Sequence, residues 1–474
     1  MEKEQNKVGL IGLVALTVTS VVGGGVFNLM NDLANNASVG PVIIALVISG
    51  AGMGMFVMCL NQLTRSYPEL DAGIYSFADK GFGNFVGFIC ALGYWSSIFL
   101  GNVAFGSLAF SALGYFFPIF GDGQNIYGVI GASVVLWGMH FLILKGSDFA
   151  SKINGFITLA KLLPLGIFIL TLIIAFDYDM FTADFWGTVS GNFEWNTVFE
   201  QVRKAMVSVV WVFVGVEGAV VYSSRAKDKS TVAKATILSF AIITSIYLLA
   251  TVLSFAVLSR GELAELSKPA MAEVMESVVG QWGAVLINLG VVISVVGAWF
   301  ACTMLSGEIL YQAAKEKIFP KVFAKVNKHD APINSLLLSN GLVQFFFFSL
   351  LINKSAYNLM ALLASSTMLV PYFFVSLSHC KLSWQMNKKI NGQVILGIIT
   401  SIYMGFVLYM SGFDYLLVTT LLFTPGILVF FWARKENNLV IFTRGEKIGA
   451  VVLTLSGLLC VIFIITGLID VTNM

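Results

Sequence analysis

Ser20-Val21-Val22-Gly23-Gly24-Gly25-Val26-Phe27 places three consecutive glycines inside the first apolar segment of the chain. The sixth apolar segment has a matching interruption, Trp211-Val212-Phe213-Val214-Gly215-Val216-Glu217-Gly218. A backbone amide without a partner is costly inside a bilayer, so irregular backbone persists there only where it lines a protein-walled cavity. Paired interruptions of this kind are typical of the substrate site of a secondary transporter.

The composition is that of a polytopic membrane protein. Of 474 residues, 57% are hydrophobic and 11% are charged, and the mean hydropathy is +0.86, which no soluble domain of this length shows. The balance of 28 basic against 26 acidic residues gives no sign of a nucleic-acid partner. The cysteines lack C-x-x-C spacing, and no histidine has a partner at metal-ligand spacing. We therefore expect no metal, no cofactor and no disulfide framework.

Apolar runs of roughly 20 residues, the length at which a helix crosses a bilayer, define the predicted spans. They cover residues 9–36, 40–64, 84–117, 124–145, 152–176, 198–224, 231–259, 279–314, 332–352, 356–378, 394–412, 414–433 and 447–469. The prediction is an all-α chain that forms one transmembrane domain over 1–474, with twelve or thirteen spans. Helices 1–5 (about 9–176) and 6–10 (about 198–378) would form its two halves, and the helices of about 394–469 would be peripheral.

The distribution of positive charge predicts the orientation. With a cytoplasmic N-terminus, 22 of the 28 Lys and Arg residues fall in cytoplasmic segments and five fall outside, as the positive-inside rule requires. The outer loops Asp177–Asn196 and Arg260–Val279 are acidic, and we interpret them as a solvated face. The last span would leave the C-terminus outside. The sequence therefore predicts a multi-pass protein of a plasma membrane.

The glycine breaks predict a site for an amino acid. Its carboxylate would accept hydrogen bonds from the freed amides of Gly23, Gly24 and Gly25, and its ammonium would donate to carbonyls bared near Gly215. The alternative is that these glycines only allow helices to pack closely, as small residues often do in membranes. The matched pair of breaks favours the site.

Two ionisable residues lie inside predicted spans. Lys161 is about nine residues, or roughly 13 Å, from the cytoplasmic end of span 5, a depth at which an ammonium needs polar partners. It is either a fixed positive charge that joins span 5 to broken span 1, in place of a transported Na⁺, or a proton carrier. Glu217 lies within the second break, where it either steadies the unwound backbone or exchanges a proton.

Aromatic residues would supply the remaining walls of the site. Tyr94 lies in span 3 with Asn102, Trp211 precedes the second break, and Trp299 lies in span 8. A substrate cation could stack on such ring faces. Tryptophan and tyrosine are more often interface anchors, but Trp211 and Trp299 lie well inside their spans.

The chain resembles the amino acid–polyamine–organocation superfamily, in its basic amino acid/polyamine antiporter branch, and is most similar to the bacterial arginine/ornithine antiporters. Histidine/histamine antiporters are near relatives of that group. The resemblance runs over nearly the whole length of the chain. The motifs that carry it are Gly23-Gly24-Gly25-Val26-Phe27-Asn28, Asp71-Ala72-Gly73-Ile74-Tyr75, Gly93-Tyr94-Trp95, Gly101-Asn102-Val103, Lys161-Leu162-Leu163-Pro164, Val216-Glu217-Gly218-Ala219-Val220, Trp282-Gly283-Ala284-Val285-Leu286 and Leu369-Val370-Pro371-Tyr372.

The resemblance implies two inverted five-helix repeats with unwound helices 1 and 6. It also implies alternating access and strict exchange of an external cationic amino acid for its internal metabolic product. The implied roles are a carboxylate site at Gly23, Gly24 and Gly25, an outer gate at Trp211, side-chain contacts at Asn102 and Ser365, a far wall at Trp299, an acidic residue behind the gate at Glu217, and a lysine at the sodium position of some relatives at Lys161.

The chain departs from the arginine/ornithine pattern beside the expected side-chain pocket. It has Trp299-Phe300-Ala301-Cys302-Thr303 where those proteins usually have Trp-Leu-x-Trp-Thr. Arginine/ornithine is the favoured pair, and histidine/histamine, an electrogenic exchange coupled to a cytoplasmic decarboxylase, is the alternative. A proton-coupled amino-acid symporter, with Lys161 or Glu217 as the proton carrier, is a further alternative.

Other classes of membrane protein lack support in the sequence. Repeated pore segments, converging titratable groups, a P-loop and hydrolase motifs are all absent, which argues against a channel, an ATP-driven pump and an enzyme. The expected partners are amino-acid and amine substrates, the lipid bilayer and, functionally, a cytoplasmic catabolic enzyme or decarboxylase. Whether the chain forms a homodimer stays open.

Overall fold

The computed structural model describes residues 9–70, 73–145, 147–217, 229–352 and 356–470. Within these ranges the chain is helical and contains no β-strand, which confirms the predicted all-α class. Ten of the described helices are long and apolar enough to cross a membrane. The chain is therefore a polytopic membrane protein whose long helices coincide with the predicted apolar runs.

The two predicted breaks are the main irregularities among the described spans. The first span is divided into α1 (Leu10–Val21), a 3₁₀ turn (Gly25–Phe27) and α2 (Leu29–Ala34). The sixth span begins as α9 (Trp195–Val212) and continues as a turn over 213–217.

The remaining helices follow in chain order. Those of the first half are α3 (Val39–Ser66), α4 (Ile74–Phe82), α5 (Asn84–Gly114), α6 (Ile126–Ile143), α7 (Ser147–Ile174) and α8 (Tyr178–Ala183). Those that follow α9 are α10 (Lys229–Ser254), α11 (Arg260–Glu265), α12 (Ala270–Val279), α13 (Gln281–Lys315), α14 (Ile333–Phe347), α15 (Ala356–Asn387), α16 (Gly392–Met410), α17 (Phe413–Phe423), α18 (Gly426–Glu436) and α19 (Arg444–Ile465).

Successive spans run in opposite directions, so the connecting segments meet at two ends of the bundle. At one end the Arg260 side chain donates to Ala34 O at 3.0 Å, and at the other Arg434 donates to Asn84 Oδ1 at 2.8 Å. We name the ends by the charge of their loops. The acidic end comprises 35–38, 115–125, 175–194, 255–280 and 411–412, and the basic end comprises 67–70, 73–83, 144–145, 316–332, 388–391 and 437–443.

The same corner occurs once in each half of the chain. Helix α4 joins α5 through Gly83, which has φ +90° and donates its amide to Asp79 O at 2.7 Å. Helix α12 joins α13 through Gly280, which has φ +79° and donates to Glu276 O at 2.8 Å. Both corners need glycine because positive φ is strained for other residues. These corners, at opposite ends of the bundle, support two inverted repeats, whose boundaries stay a prediction.

Helix α5 lies at the centre of the bundle and α19 at its edge. In its apolar window α5 is 89% buried, whereas α19 is 17% buried. Glycines let neighbouring elements approach α5 closely: a Cβ added at Gly106 would lie 2.6 Å from the Phe347 ring of α14, and one at Gly93 would lie 2.7 Å from Thr367 O of α15. A central helix of the first half therefore packs closely against two helices of the second half.

Candidate functional site

The first break leaves backbone amides without partners. Helix α1 ends where the glycines begin, since each glycine costs about 1 kcal/mol relative to alanine in a helix. Gly23 N donates to Val21 O at 2.7 Å, and Asn28 N donates to Gly25 O at 3.2 Å. Among the hydrogen bonds of the described residues, the amides of Gly24 and Gly25 have no acceptor. Two donors are thus available to an anionic group.

A buried tyrosine joins the two breaks. The Tyr247 hydroxyl of α10 lies 3.1 Å from Val21 O and 2.8 Å from Val212 O, the last carbonyls of α1 and α9. Beyond Val212 the chain turns, with Gly215 at φ +101°. Val21 O also accepts from Gly23 N, whereas Val212 O would otherwise be buried without a donor among the described residues, which is unfavourable. One hydroxyl therefore holds both interrupted helices at a fixed separation.

Lys161 is fully buried and contacts the first break. Its Nζ donates to Val22 O at 2.9 Å, just beyond the C-terminus of α1. A cation at this position also interacts favourably with the negative end of the helix dipole. The structure therefore contains the predicted link between span 5 and broken span 1, whereas the role of Lys161 in transport stays a prediction.

A cavity lies between the two breaks. Gly23, Gly24, Gly25, Tyr94 and Glu217, all predicted site residues, line it. Its other lining residues include Ser97, Gly101 and Phe105 of α5, Gly215 of the second break, and Ala301, Cys302 and Leu305 of α13. The free amides of the first break and a carboxylate from the second therefore border one space, which we call the central cavity.

Glu217 is the centre of a buried hydrogen-bonded cluster. The Tyr372 hydroxyl of α15 donates to Glu217 Oε2 at 2.5 Å and accepts from Gly215 N at 3.3 Å. The Tyr94 side chain also hydrogen-bonds to the Glu217 carboxylate. Among the cavity-lining residues of α5, Tyr94 lies nearest the basic end. The cluster therefore joins α5, α15 and the second break on the basic-end side of the cavity.

Removing the Tyr372 hydroxyl will slow transport. Tyr372→Phe removes one hydrogen bond from the Glu217 carboxylate and one from the Gly215 amide, and a hydrogen bond to a charged group contributes about 1.5–3 kcal/mol. We expect about a tenfold lower rate of substrate exchange in proteoliposomes, the rate equivalent of roughly 1.4 kcal/mol.

The control for this variant is Tyr403→Phe. The buried Tyr403 hydroxyl donates to Ser49 O at 3.4 Å, between α16 and α3 and away from the cavity. Its loss will leave exchange unchanged. The cost of Tyr372→Phe will shrink in a Glu217→Gln background, and equal costs in both backgrounds would contradict the contact.

Two predicted side-chain contacts do not reach the central cavity. Asn102 is fully buried, and its Nδ2 donates to Thr303 Oγ1 at 3.4 Å. Ser365 is buried in α15. Within the described residues, Asn102 Oδ1 and Ser365 Oγ have no hydrogen-bond partner. The structure does not bring either side chain to the cavity lining, and their contact with substrate stays a prediction.

The structure describes the side chain of one of the two tryptophans predicted to border the site, Trp299, but not that of the other, Trp211. Trp299 is fully buried against Phe347, with ring centroids 5.9 Å apart, and is not among the lining residues of the central cavity. Its Nε1 has no partner within the described residues. Trp211 lies in the last turn of α9, and its side chain is outside the part that the structure describes. Both roles stay predictions.

The structure adds four side chains that the sequence did not single out for the site. Ser97 lines the cavity and has a buried hydroxyl without a partner within the described residues, and Cys302 also lines the cavity. Tyr247 and Tyr372 lie behind the breaks. Cys302 and Tyr372 occur in quoted motifs, and Ser97 lies one turn beyond Tyr94, which is the helical spacing of one face. Tyr247 has no local sequence signal.

Comparison with known proteins agrees with this architecture. Residues 8–414 match the family model described as amino acid permease. An arginine/ornithine antiporter of Latilactobacillus sakei is 40% identical over 98% of both chains. The arginine/ornithine antiporter of Pseudomonas aeruginosa is 41% identical over 94% of this chain and 95% of its own, and one from Lactococcus lactis is 37% identical over 97% and 90%. The chain belongs to the amino acid permease family of membrane transporters.

Proposed function

We propose that this protein exchanges an external cationic amino acid for its internal metabolic product, with arginine and ornithine as the substrate pair. The names of relatives at about 40% identity over nearly their full length support this assignment. The exchange would take place across the bacterial cell membrane, with the N-terminus and the basic end in the cytoplasm and the acidic end outside.

One observation carries the proposal: free amides and a carboxylate border the same cavity. The amides of Gly24 and Gly25 would donate to the substrate carboxylate, and the carbonyls near Gly215 would accept from its α-ammonium. The cationic side chain would extend along Ser97 and Tyr94 toward Glu217. The buried partnerless atoms of Asn102, Trp299 and Ser365 support their predicted contacts with substrate after a change of conformation.

Opposing barriers would give alternating access. On the basic-end side, the Tyr94–Glu217–Tyr372 cluster would form the inner barrier. On the acidic-end side, Phe105 and Leu108 of α5 pack against the glycine break, and Trp211 would complete the outer gate. Rearrangement of the broken helices would open one barrier while the other stays closed.

Lys161 would serve as a fixed positive charge. Its ammonium donates to Val22 O, and by the family resemblance it would take the position at which some relatives hold a sodium ion. A permanent charge there would remove the need for a co-transported cation. In strict exchange the carrier would return to the outward-facing state only with the product bound. The exchange would be coupled to a cytoplasmic enzyme that converts the imported amino acid into the exported one.

Counter-substrate loading will test the proposal. Radiolabelled arginine will enter proteoliposomes loaded with arginine or ornithine, and will not enter empty ones, because the empty carrier does not return. Histidine uptake driven by internal histamine and sensitive to imposed voltage would replace the proposal with the histidine/histamine alternative. Arginine accumulation in empty vesicles under a pH gradient would instead establish the proton-coupled symporter.

A further inference from the structure

A second cavity lies at the acidic end of the bundle. The end of α5, the segment after it, α12 and the first turns of α13 surround it. Asp122, Glu273 and Glu276 contribute carboxylates to its lining, and Lys268 is its one basic lining residue among the described residues. We call this space the outer cavity.

The ammonium of Lys268 forms an ion pair with Asp32, a residue outside the cavity lining. Its Nζ lies 3.7 Å from Asp32 Oδ1 and 4.3 Å from the centroid of the Tyr357 ring, and it donates to Asn358 Oδ1 at 2.5 Å. Lys268 therefore compensates Asp32, whose carboxylate does not line the cavity.

The three lining carboxylates have no basic partner within the described part of the chain. Asp122 accepts from Gln124 N at 3.0 Å, and Glu273 accepts from the Ser267 amide at 3.3 Å and from the Ser267 hydroxyl. These bonds orient the side chains and leave their charge uncompensated. The outer cavity is therefore electronegative.

A buried amide oxygen points independently to a ligand with hydrogen-bond donors. Asn288 of α13 is 2% exposed and lines the outer cavity. Its Nδ2 donates to Ala284 O at 3.0 Å, whereas its Oδ1 has no partner in the described structure. A buried acceptor without a donor is unfavourable, so this atom is available to a bound N–H group.

The lining suits an organic cation better than a metal ion. The described residues contain no cluster of carboxylates, histidines or cysteines close enough to hold a metal. Separated carboxylates and an amide oxygen accept hydrogen bonds from a group that carries several N–H donors, such as a guanidinium or an alkylammonium.

One face of α5 connects the outer cavity to the central one. Residues at helical spacing line the central cavity first and the outer cavity next: Tyr94, Ser97, Ile98, Gly101 and Phe105, then Leu108, Ser111 and Tyr115. From the first to the last of these the helix rises about 31 Å, roughly the thickness of the hydrocarbon core. Leu108 separates the cavities, since its Cδ2 lies 2.5 Å from a Cβ built on Gly24.

We propose that the outer cavity is a binding site for the cationic group of the amino-acid substrate, occupied before the substrate passes Leu108 into the central cavity. This inference rests on the proposed function and adds a second substrate site to it. Asp122, Glu273 and Glu276 attract the cation, and Asn288 Oδ1 accepts one of its N–H groups. The site raises the local concentration of cationic substrate and excludes anionic ones.

The test is arginine uptake by right-side-out membrane vesicles loaded with ornithine. The triple variant Asp122→Asn, Glu273→Gln, Glu276→Gln will raise the KM for external arginine about tenfold and leave the maximal rate unchanged, because electrostatic attraction acts on encounter. The difference in KM between the wild-type protein and the triple variant will disappear as KCl is raised from about 0.01 M to about 1 M, because the screening length then falls from about 30 Å to about 3 Å. Asn288→Leu will also raise KM at unchanged maximal rate, without loss of thermal stability.

The matched control removes the same number of charges at the same end. The control is the triple variant Asp179→Asn, Glu265→Gln, Asp414→Asn, whose three positions are outside the lining of the outer cavity. This variant will leave KM unchanged. Equal KM shifts in both triple variants, an unchanged KM in the cavity variant, or a fall in maximal rate alone would overturn the outer site. Failure of the wild-type protein to exchange arginine for ornithine would overturn the proposed function, and this inference with it, before any variant is compared.

Discussion

Gly24→Ala will lower the specificity constant for exchange by about 100-fold, the penalty associated with a misplacement of about 1 Å at a reacting or binding centre. A Cβ built on Gly24 lies 2.5 Å from Leu108 Cδ2 and 3.5 Å from Phe105 Cδ1. Either Leu108 or the backbone of the first break must therefore move. Because the Gly24 amide lines the central cavity, a shift of this backbone displaces the proposed carboxylate site.

The cause can be separated from a general folding defect. Leu108→Ala removes the atom that clashes. The specificity constant of the double variant Gly24→Ala, Leu108→Ala will therefore be at least about tenfold higher than that of Gly24→Ala alone, which recovers part of the loss of about 100-fold. Gly138→Ala in α6 is the control, because its added Cβ has no neighbour within 4 Å. Initial rates of arginine–ornithine exchange and the thermal unfolding midpoint measure both effects. An unrescued double variant would contradict the steric explanation.

Lys161→Met will abolish exchange, with a loss of at least about 100-fold. Methionine has a similar length and keeps the packing, but it leaves Val22 O without its 2.9 Å donor. A buried carbonyl left without a donor costs about 1–3 kcal/mol, and the position of the first break depends on this bond. The loss of the positive charge also removes a favourable interaction with the C-terminus of α1.

The fixed-charge role predicts a further result. In the wild-type protein, a pH gradient at clamped voltage will not drive arginine into empty vesicles, whereas a proton-carrying lysine requires that it does. Lys435→Met is the matched control, since Lys435 is exposed at the basic end and its loss will leave exchange unchanged. Normal exchange by the Lys161→Met variant would contradict two roles of Lys161, as the donor that positions the first break and as a fixed positive charge.

Much of the fold follows from local sequence. The glycine triplet at Gly23–Gly25 predicts the interruption between α1 and α2 because three successive glycines weaken a helix wherever it packs. The apolar runs predict the long helices because their length must match the bilayer. The corners at Gly83 and Gly280 need positive φ, but the sequence alone does not distinguish them from packing glycines.

The side chains of the site were less predictable. Tyr94, Glu217 and the glycines of the first break line the central cavity as expected, whereas Asn102 does not. Asn102 directly follows Gly101, which does line it, and successive helical residues differ by about 100° in direction. A correct span therefore leaves the orientation of any one residue undetermined.

The sequence by itself determined the membrane class, the positions of the spans and breaks, and the depth of Lys161, because each depends on the local cost of placing polar groups in a bilayer. Tertiary structure alone decided that Tyr247 joins the two breaks, that Tyr372 binds Glu217, and that Asn288 faces an acidic cavity. These contacts join residues far apart in the chain. They depend on how long helices rotate and pack against one another, which no local pattern specifies.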